Sequence, residues 1–180
     1  SGTRLFEMSH LSKTNKTQPV EDEIYNTIKD KINEYDIVVV SDFGHGLLSK
    51  KCIELIQNSS CHLALNVQTN SSNFGFNLVT KYKNAGFVCI DELEARLALS
   101  NKHDDIDDVA SALKEELCCD SLMITRGSQG INYYKDDKSS APALASKVVD
   151  TVGAGDAVFS AALLGNCYSD EPFVPRLMGS

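Results

Sequence analysis

Four short runs of nearly continuous apolar residues, "DIVVVSDF" (36–43), "HLALNV" (62–67), "GFVCI" (86–90) and "SLMITRG" (121–127), constrain this 180-residue chain more than any other feature. Strands open to water on one face alternate apolar and polar residues; runs without alternation predict strands buried on both faces. Helical patterns separate them, over about 20–34, 49–58, 74–83, 92–100 and 105–118. In the last, Ile106, Val109, Ala110, Leu113 and Leu117 recur at helical spacing. Strand alternating with helix predicts an α/β chain with a mostly parallel sheet and helices on both faces. Its length suits one domain. Beyond residue 130 the rhythm changes: "GINYYKDDKSSAPALASKVVD" reads as an antiparallel hairpin turning at Asp136 to Ser140, before a helix over about 155–165 closed by Gly165. That helix is apolar on most faces, so further protein, or another copy, is expected to cover it.

Composition narrows the function. Lys and Arg number 17 against 25 Asp and Glu, a net charge of −8, and the cations form no run, which disfavours nucleic acid as a partner. No apolar run approaches the roughly 18 residues of a membrane span, and "SGTRLFEMSH" lacks a signal-peptide core; the reading is cytoplasmic, with no membrane partner. Six cysteines without a C-x-x-C pair read as reduced, partly buried thiols. His10, His45, His62 and His103 show no ligand spacing, and Asp104, Asp105, Asp107 and Asp108 read as a solvated helix start. Ser1-Gly2 and Gly179-Ser180 read as residues added to the natural chain.

The chemistry concentrates in "KVVDTVGAGDAVFSAALLG" (147–165). A helix start offers N–H groups without intrahelical partners and a partial positive charge, and glycines let an anion approach them, so Gly153, Ala154 and Gly155 read as an anion cradle. A carboxylate there repels an anion unless it has a task. Asp156 beside amides that stabilise phosphoryl charge is the pairing phosphoryl transfer to a hydroxyl needs, with Asp156 as base; the simpler alternative is a carboxylate that only complements the helix dipole. No G-x-x-x-x-G-K-[ST] is present, and Val158 stands where a dinucleotide fingerprint needs its third small residue.

"DTVGAGDAVFSAALLG" resembles the C-terminal signature D-T-x-G-A-G-D of the ribokinase-like, phosphofructokinase-B type carbohydrate kinases. The resemblance implies a three-layer αβα sandwich, of which residues 3–178 would be the C-terminal portion of a single domain, lacking the N-terminal strands, the lid and most sugar contacts. It implies ATP-dependent phosphorylation of a sugar or sugar phosphate. Asp156 would be the catalytic base and residues 153–155 the anion hole. "LMITRGSQGINYY" is similar to the family's nucleotide-phosphate loop, implying Thr125 and Gly127 as contacts. "VCIDELEARLAL" resembles its N-x-x-E segment, implying Glu94 as organiser of Mg²⁺, with Asp91 replacing the family's nucleotide-contacting Asn. Asp150 and Thr151 resemble positions shaping a loop for a monovalent cation such as K⁺; a turn-stabilising Asp-Thr pair is an equally simple account. "SDFGHGLLS" resembles the D-Y-G-K-G segment of the heptose-phosphate kinase branch associated with nucleotidyltransferases; Asp42, Gly44 and Gly46, following a buried strand, either contact a sugar or phosphate or only form a tight strand-to-helix turn. Asn66, Gln68 and Asn70 either line a polar cleft or satisfy a loop. Expected partners are a small sugar or sugar phosphate and either a second copy or the missing N-terminal portion. The alternative is a non-catalytic nucleotide-binding or assembly fragment without a sugar site.

Overall fold

A computed structural model of the chain describes residues 18–70, 73–143 and 153–168, the side chains of the last two excepted. In chain order the elements are α1 (Gln18–Lys31), β1 (Ile37–Asp42), α2 (Lys50–Gln57), β2 (His62–Val67), β3 (Phe87–Asp91), α3 (Glu92–Ala98), α4 (Ile106–Leu117), β4 (Ser121–Thr125), β5 (Ile131–Tyr134), β6 (Lys138–Ala141) and α5 (Ala154–Tyr168). The strands form one sheet in the order β1-β2-β3-β4-β5-β6. β1 to β4 run parallel, and β5 and β6 are antiparallel additions.

Side-chain alternation splits the apolar runs between two cores. Leu63, Leu65 and Val67 of β2, Val88 and Ile90 of β3, and Leu122 and Ile124 of β4 join Ile53 and Ile56 of α2, Ala95 of α3, and Val109 and Leu113 of α4 on one face. Ala64, Phe87, Cys89 and Met123 point the other way, against Phe159, Ala162 and Leu163 of α5. The Phe87 and Phe159 rings stack at 6.0 Å. Burying side chains such as Phe159 and Leu163 stabilises by roughly 2 kcal/mol each, so α5 is held on the sheet by its own apolar stripe. Leu164, off that stripe, is 62% exposed.

Several boundaries differ from expectation. β1 is not buried on both faces: Val39 is 51% exposed, because α5 lies chiefly over β2 and β3, and on that side of β1 it is Ile37 that packs against the α5 cluster. Residues 74–83 form no α-helix; a turn leads to a short 3₁₀ segment, Val79–Lys81. Asparagine side chains explain this, since Asn73 donates to Phe43 O and Asn77 to Asp42 O and Gln68 O, competing with helical bonding. The hairpin turn occupies 135–137, and Ser139 and Ser140 pair within β6. α5 runs through Gly165 to Tyr168 rather than stopping there; Asn166 anchors its last turn by donating to Ser121 Oγ and Tyr133 OH. Asp105 caps α4, accepting from Asp107 N. Among the described residues no helix is long and apolar enough to cross a membrane.

Candidate active site

Parallel strands deliver their carboxyl ends to one edge of the sheet, where Asp42 stands beside Val67 and Asp91 beside Thr125. The loop leaving β2 is pinned there. Gln68 N donates to Asp42 O (2.9 Å), Asn77 Nδ2 donates to Gln68 O (2.9 Å), and Thr69 N donates to Glu94 Oε1 (2.8 Å).

Asp91 is the N-cap of α3. Its Oδ1 accepts from Glu94 N (2.7 Å), while Glu94 Oε2 accepts from Asp91 N (3.0 Å), a reciprocal capping box. Burial pushes the Glu94 carboxyl up to about 7, with the nearby Asp91 charge adding to it, against the lowering pull of the Asp91 and Thr69 N–H donors. Its hydrogen-bond donors are thus backbone amides, and among the described residues no cation pairs with it. Among the described residues no group of three or more His, Cys, Asp or Glu is placed to hold a metal ion. A divalent cation at Glu94 would complete its shell with water and phosphate oxygens, as Mg²⁺ commonly does.

Thr125 ends β4, half-buried. Gly127 opens the 3₁₀ turn that follows, and a Cβ there would meet no atom within 4 Å. Between them Arg126 donates from Nε to Glu92 Oε2 (2.8 Å), and Arg96 donates to Glu92 Oε1 (3.0 and 2.8 Å). The two guanidiniums, Arg126 foremost, hold the Glu92 carboxyl below its usual range.

At α5, Gly153 takes φ +78°, a left-handed conformation that glycine adopts without Cβ strain, and its carbonyl accepts from Ala157 N (3.0 Å). The N–H groups of Ala154, Gly155 and Asp156 therefore have no acceptor inside the helix. Among the described residues a Cβ at Gly155 would meet nothing within 4 Å, so packing does not demand glycine there. Asp156 Oδ1 accepts from Gln68 Nε2 at 2.7 Å, tying α5 to the β2 loop. Asp150 and Thr151 lie outside the described residues.

The substrate candidates after β1 sit differently. Asp42 Oδ2 accepts from Lys81 Nζ and Tyr82 OH, both at 2.6 Å, and Oδ1 from Gly44 N at 2.8 Å. Burial works to raise the Asp42 carboxyl, but these three donors outweigh it and hold the group below its usual range. Gly44 has φ +73°, and a Cβ would stand 2.0 Å from Asn73 Nδ2 and 2.8 Å from Asn77 Cβ. Both conformation and space require glycine there. Of the three candidates, Gly46 has open space around its Cβ position.

A sheet edge carrying a carboxylate at a glycine-led helix start, a second raised carboxylate and a glycine turn after β4 agrees with a family profile described as pfkB family carbohydrate kinase, which matches residues 8–171. The chain belongs to the pfkB family of carbohydrate kinases. It is similar to the bifunctional protein HldE of Campylobacter fetus subsp. fetus, 30% identical over 84% of this chain and 33% of that protein. It resembles the HldE of Nitratiruptor sp. at 30% identity over 78% of this chain and 30% of that protein. The chain thus spans about a third of the length of these curated relatives. Among solved pfkB-like folds, phosphofructokinase-2 from Escherichia coli in complex with substrates and products aligns with TM-score 0.63 and 18% identity, covering 82% of this chain and 50% of that one. Arabidopsis thaliana ribokinase complexed with ribose and ATP aligns with TM-score 0.60 and 14% identity, covering 80% and 47%. These likenesses establish the ribokinase-like fold.

Sequence patterns alone missed Lys81, Tyr82 and Asn77, because 74–83 read as a helix with no role at the edge. Gln68 is visible only as one polar residue in "NVQTN"; its partner lies 88 positions away. A buried strand ending in polar amides is the one signal that marks that loop.

Proposed function

We propose that the intact protein transfers the γ-phosphoryl group of ATP to a hydroxyl of a sugar or sugar phosphate, residues 3–178 forming the C-terminal portion of its kinase domain. The single observation that carries this is the Asp156 carboxylate, held at the first turn of α5 beside N–H groups that lack intrahelical acceptors. The resemblance of "SDFGHGLLS" favours a heptose phosphate as acceptor.

In this reading Asp156 takes the proton of the attacking hydroxyl, with Oδ1 held by Gln68 and Oδ2 turned to the acceptor. The N–H groups of Ala154, Gly155 and Asp156 hold the charge that develops on the transferring group, and Gly153 sets their direction. Thr125 and Gly127 contact phosphate oxygens, and Asp91, Asp150 and Thr151 complete the nucleotide and monovalent-cation surroundings, K⁺ being the candidate ion. Glu94, a half-buried carboxylate with no paired cation among the described residues, is suited to orient hydrated Mg²⁺. Mg²⁺, when bound, supplies charge neutralisation at the phosphates. The exposed apolar residues Val39 (51%), Phe43 (40%) and Leu47 (63%) favour coverage of β1 by further protein, the remainder of the kinase or a second copy.

Asp156→Asn in the intact protein tests the reading. The expected result is a fall in kcat of about 10²–10⁴ with ATP affinity within about twofold. Near-wild-type turnover removes Asp156 as base.

A further inference from the structure

Gln68 and Asp156 are 88 residues apart, yet their side chains meet at 2.7 Å. Docking α5 does not require this bond: Phe159, Ala162 and Leu163 already bury against the sheet, and Asn166 ties down the far end. The Gln68 backbone, in turn, is held on both sides, by Asp42 O and by Asn77 Nδ2, the latter on a residue only 6% exposed. Its side chain therefore leaves from a fixed root. The next residue, Thr69, sends its N–H to Glu94 Oε1.

We infer that Gln68 is a positioning residue: its amide N–H fixes Oδ1 of Asp156, so that Oδ2 meets the acceptor hydroxyl, while Thr69 N–H sets Glu94 from the same two-residue bracket. This rests on the reading of Asp156 as base. A charge-assisted hydrogen bond of this length favours one rotamer of a short side chain that otherwise samples several at a helix start. Loss of the donor leaves the carboxylate in place but misdirected, which costs turnover more than binding.

The test is a double-mutant cycle in the intact protein, with ATP and a heptose 7-phosphate as substrates. Gln68→Met keeps length and apolar contact but deletes the donor. Expected are a kcat roughly tenfold lower, KM values for both substrates within about twofold, and a melting temperature within about 3 °C of wild type. In an Asp156→Asn background Gln68→Met adds no further loss, since it acts only through that carboxylate. Should the Met variant fold poorly, Gln68→Leu, neutral and likewise lacking the donor, takes its place in the cycle. A kcat within twofold of wild type, or losses that multiply in the double variant, overturns the positioning role while leaving Asp156 as base. Full turnover by Asp156→Asn overturns both.

Discussion

Asp42 and Glu94 are two half-buried carboxylates at the carboxyl edge of one sheet, and their surroundings push them in opposite directions. Asp42 receives an ammonium, a phenol and a backbone amide, and stays below the usual carboxylate range despite burial. Glu94 receives two backbone amides and stands beside the Asp91 charge, and burial raises it to about 7. A carboxylate supplied with its own cation is complete inside the protein, whereas one desolvated without a cation has charge left to give to a ligand. The sequence resemblance groups both as site residues; their partners divide them into a brace for the β1–α2 turn and a candidate cation organiser.

The largest effect expected from this division is on stability. Asp42→Ala strips an acceptor from Lys81, Tyr82 and Gly44 together and leaves a buried phenol without it. The cost is about 2–4 kcal/mol, or a melting temperature lowered by roughly 5–15 °C in a thermal unfolding scan. ATP KM is expected to change little in protein that remains folded. An unchanged melting temperature with a strongly raised KM for the sugar would instead make Asp42 a substrate contact rather than a brace.

Much of this arrangement is legible in the residues themselves. β2, β3 and β4 announce themselves because neither face meets water, and the spacing in α4 is a one-dimensional trace of its buried face. The Gly153–Asp156 turn is legible because a helix start is local, needing only four consecutive residues. What is not legible is tertiary. Asn77 and Tyr82 sit in a segment with helical apolar spacing, yet their side chains are claimed by the ends of β1 and β2. Gly165 reads as a stop, but Asn166 finds two hydroxyls 33 and 45 residues back, and the helix continues. Val39 belongs to a run that reads as buried on both sides, and only the position of α5 shows that one side is open.

Glu94 allows a smaller and more diagnostic test, run in metal-free buffer. Its carboxyl rises from an ordinary 4.5 to about 7 on folding, so between these values the folded chain holds a proton that the unfolded chain has released. Stability from this group is therefore present below pH 4.5, declines as pH rises toward 7, and is fully lost above it. With partial exposure discounting the shift, the decline is on the order of 1 kcal/mol, or about 2–4 °C. Glu94→Gln imitates the protonated acid and keeps a capping side chain, so its melting temperature is expected to gain on wild type across that window. A difference that stays flat from pH 4.5 to 8 would mean Glu94 is as satisfied as Asp42.

The finest probe of the Asp42 brace is Tyr82→Phe. The ring is fully buried and stays in place, so the change deletes one hydroxyl and no apolar contact. Asp42 keeps Lys81 and Gly44, which leaves the acceptor paired; the expected cost is about 1 kcal/mol, or roughly 2–4 °C, well short of Asp42→Ala. Because the Tyr82 donor helps hold Asp42 below its ordinary 3.8, its loss moves the folded carboxyl back toward that value. Stability from a lowered carboxyl exists above the unfolded value and disappears as pH falls through the folded one, so the variant begins acid unfolding at a slightly higher pH than wild type. A loss as large as that of Asp42→Ala would make the phenol, rather than the carboxylate, the hub that holds the β1–α2 turn beside the site.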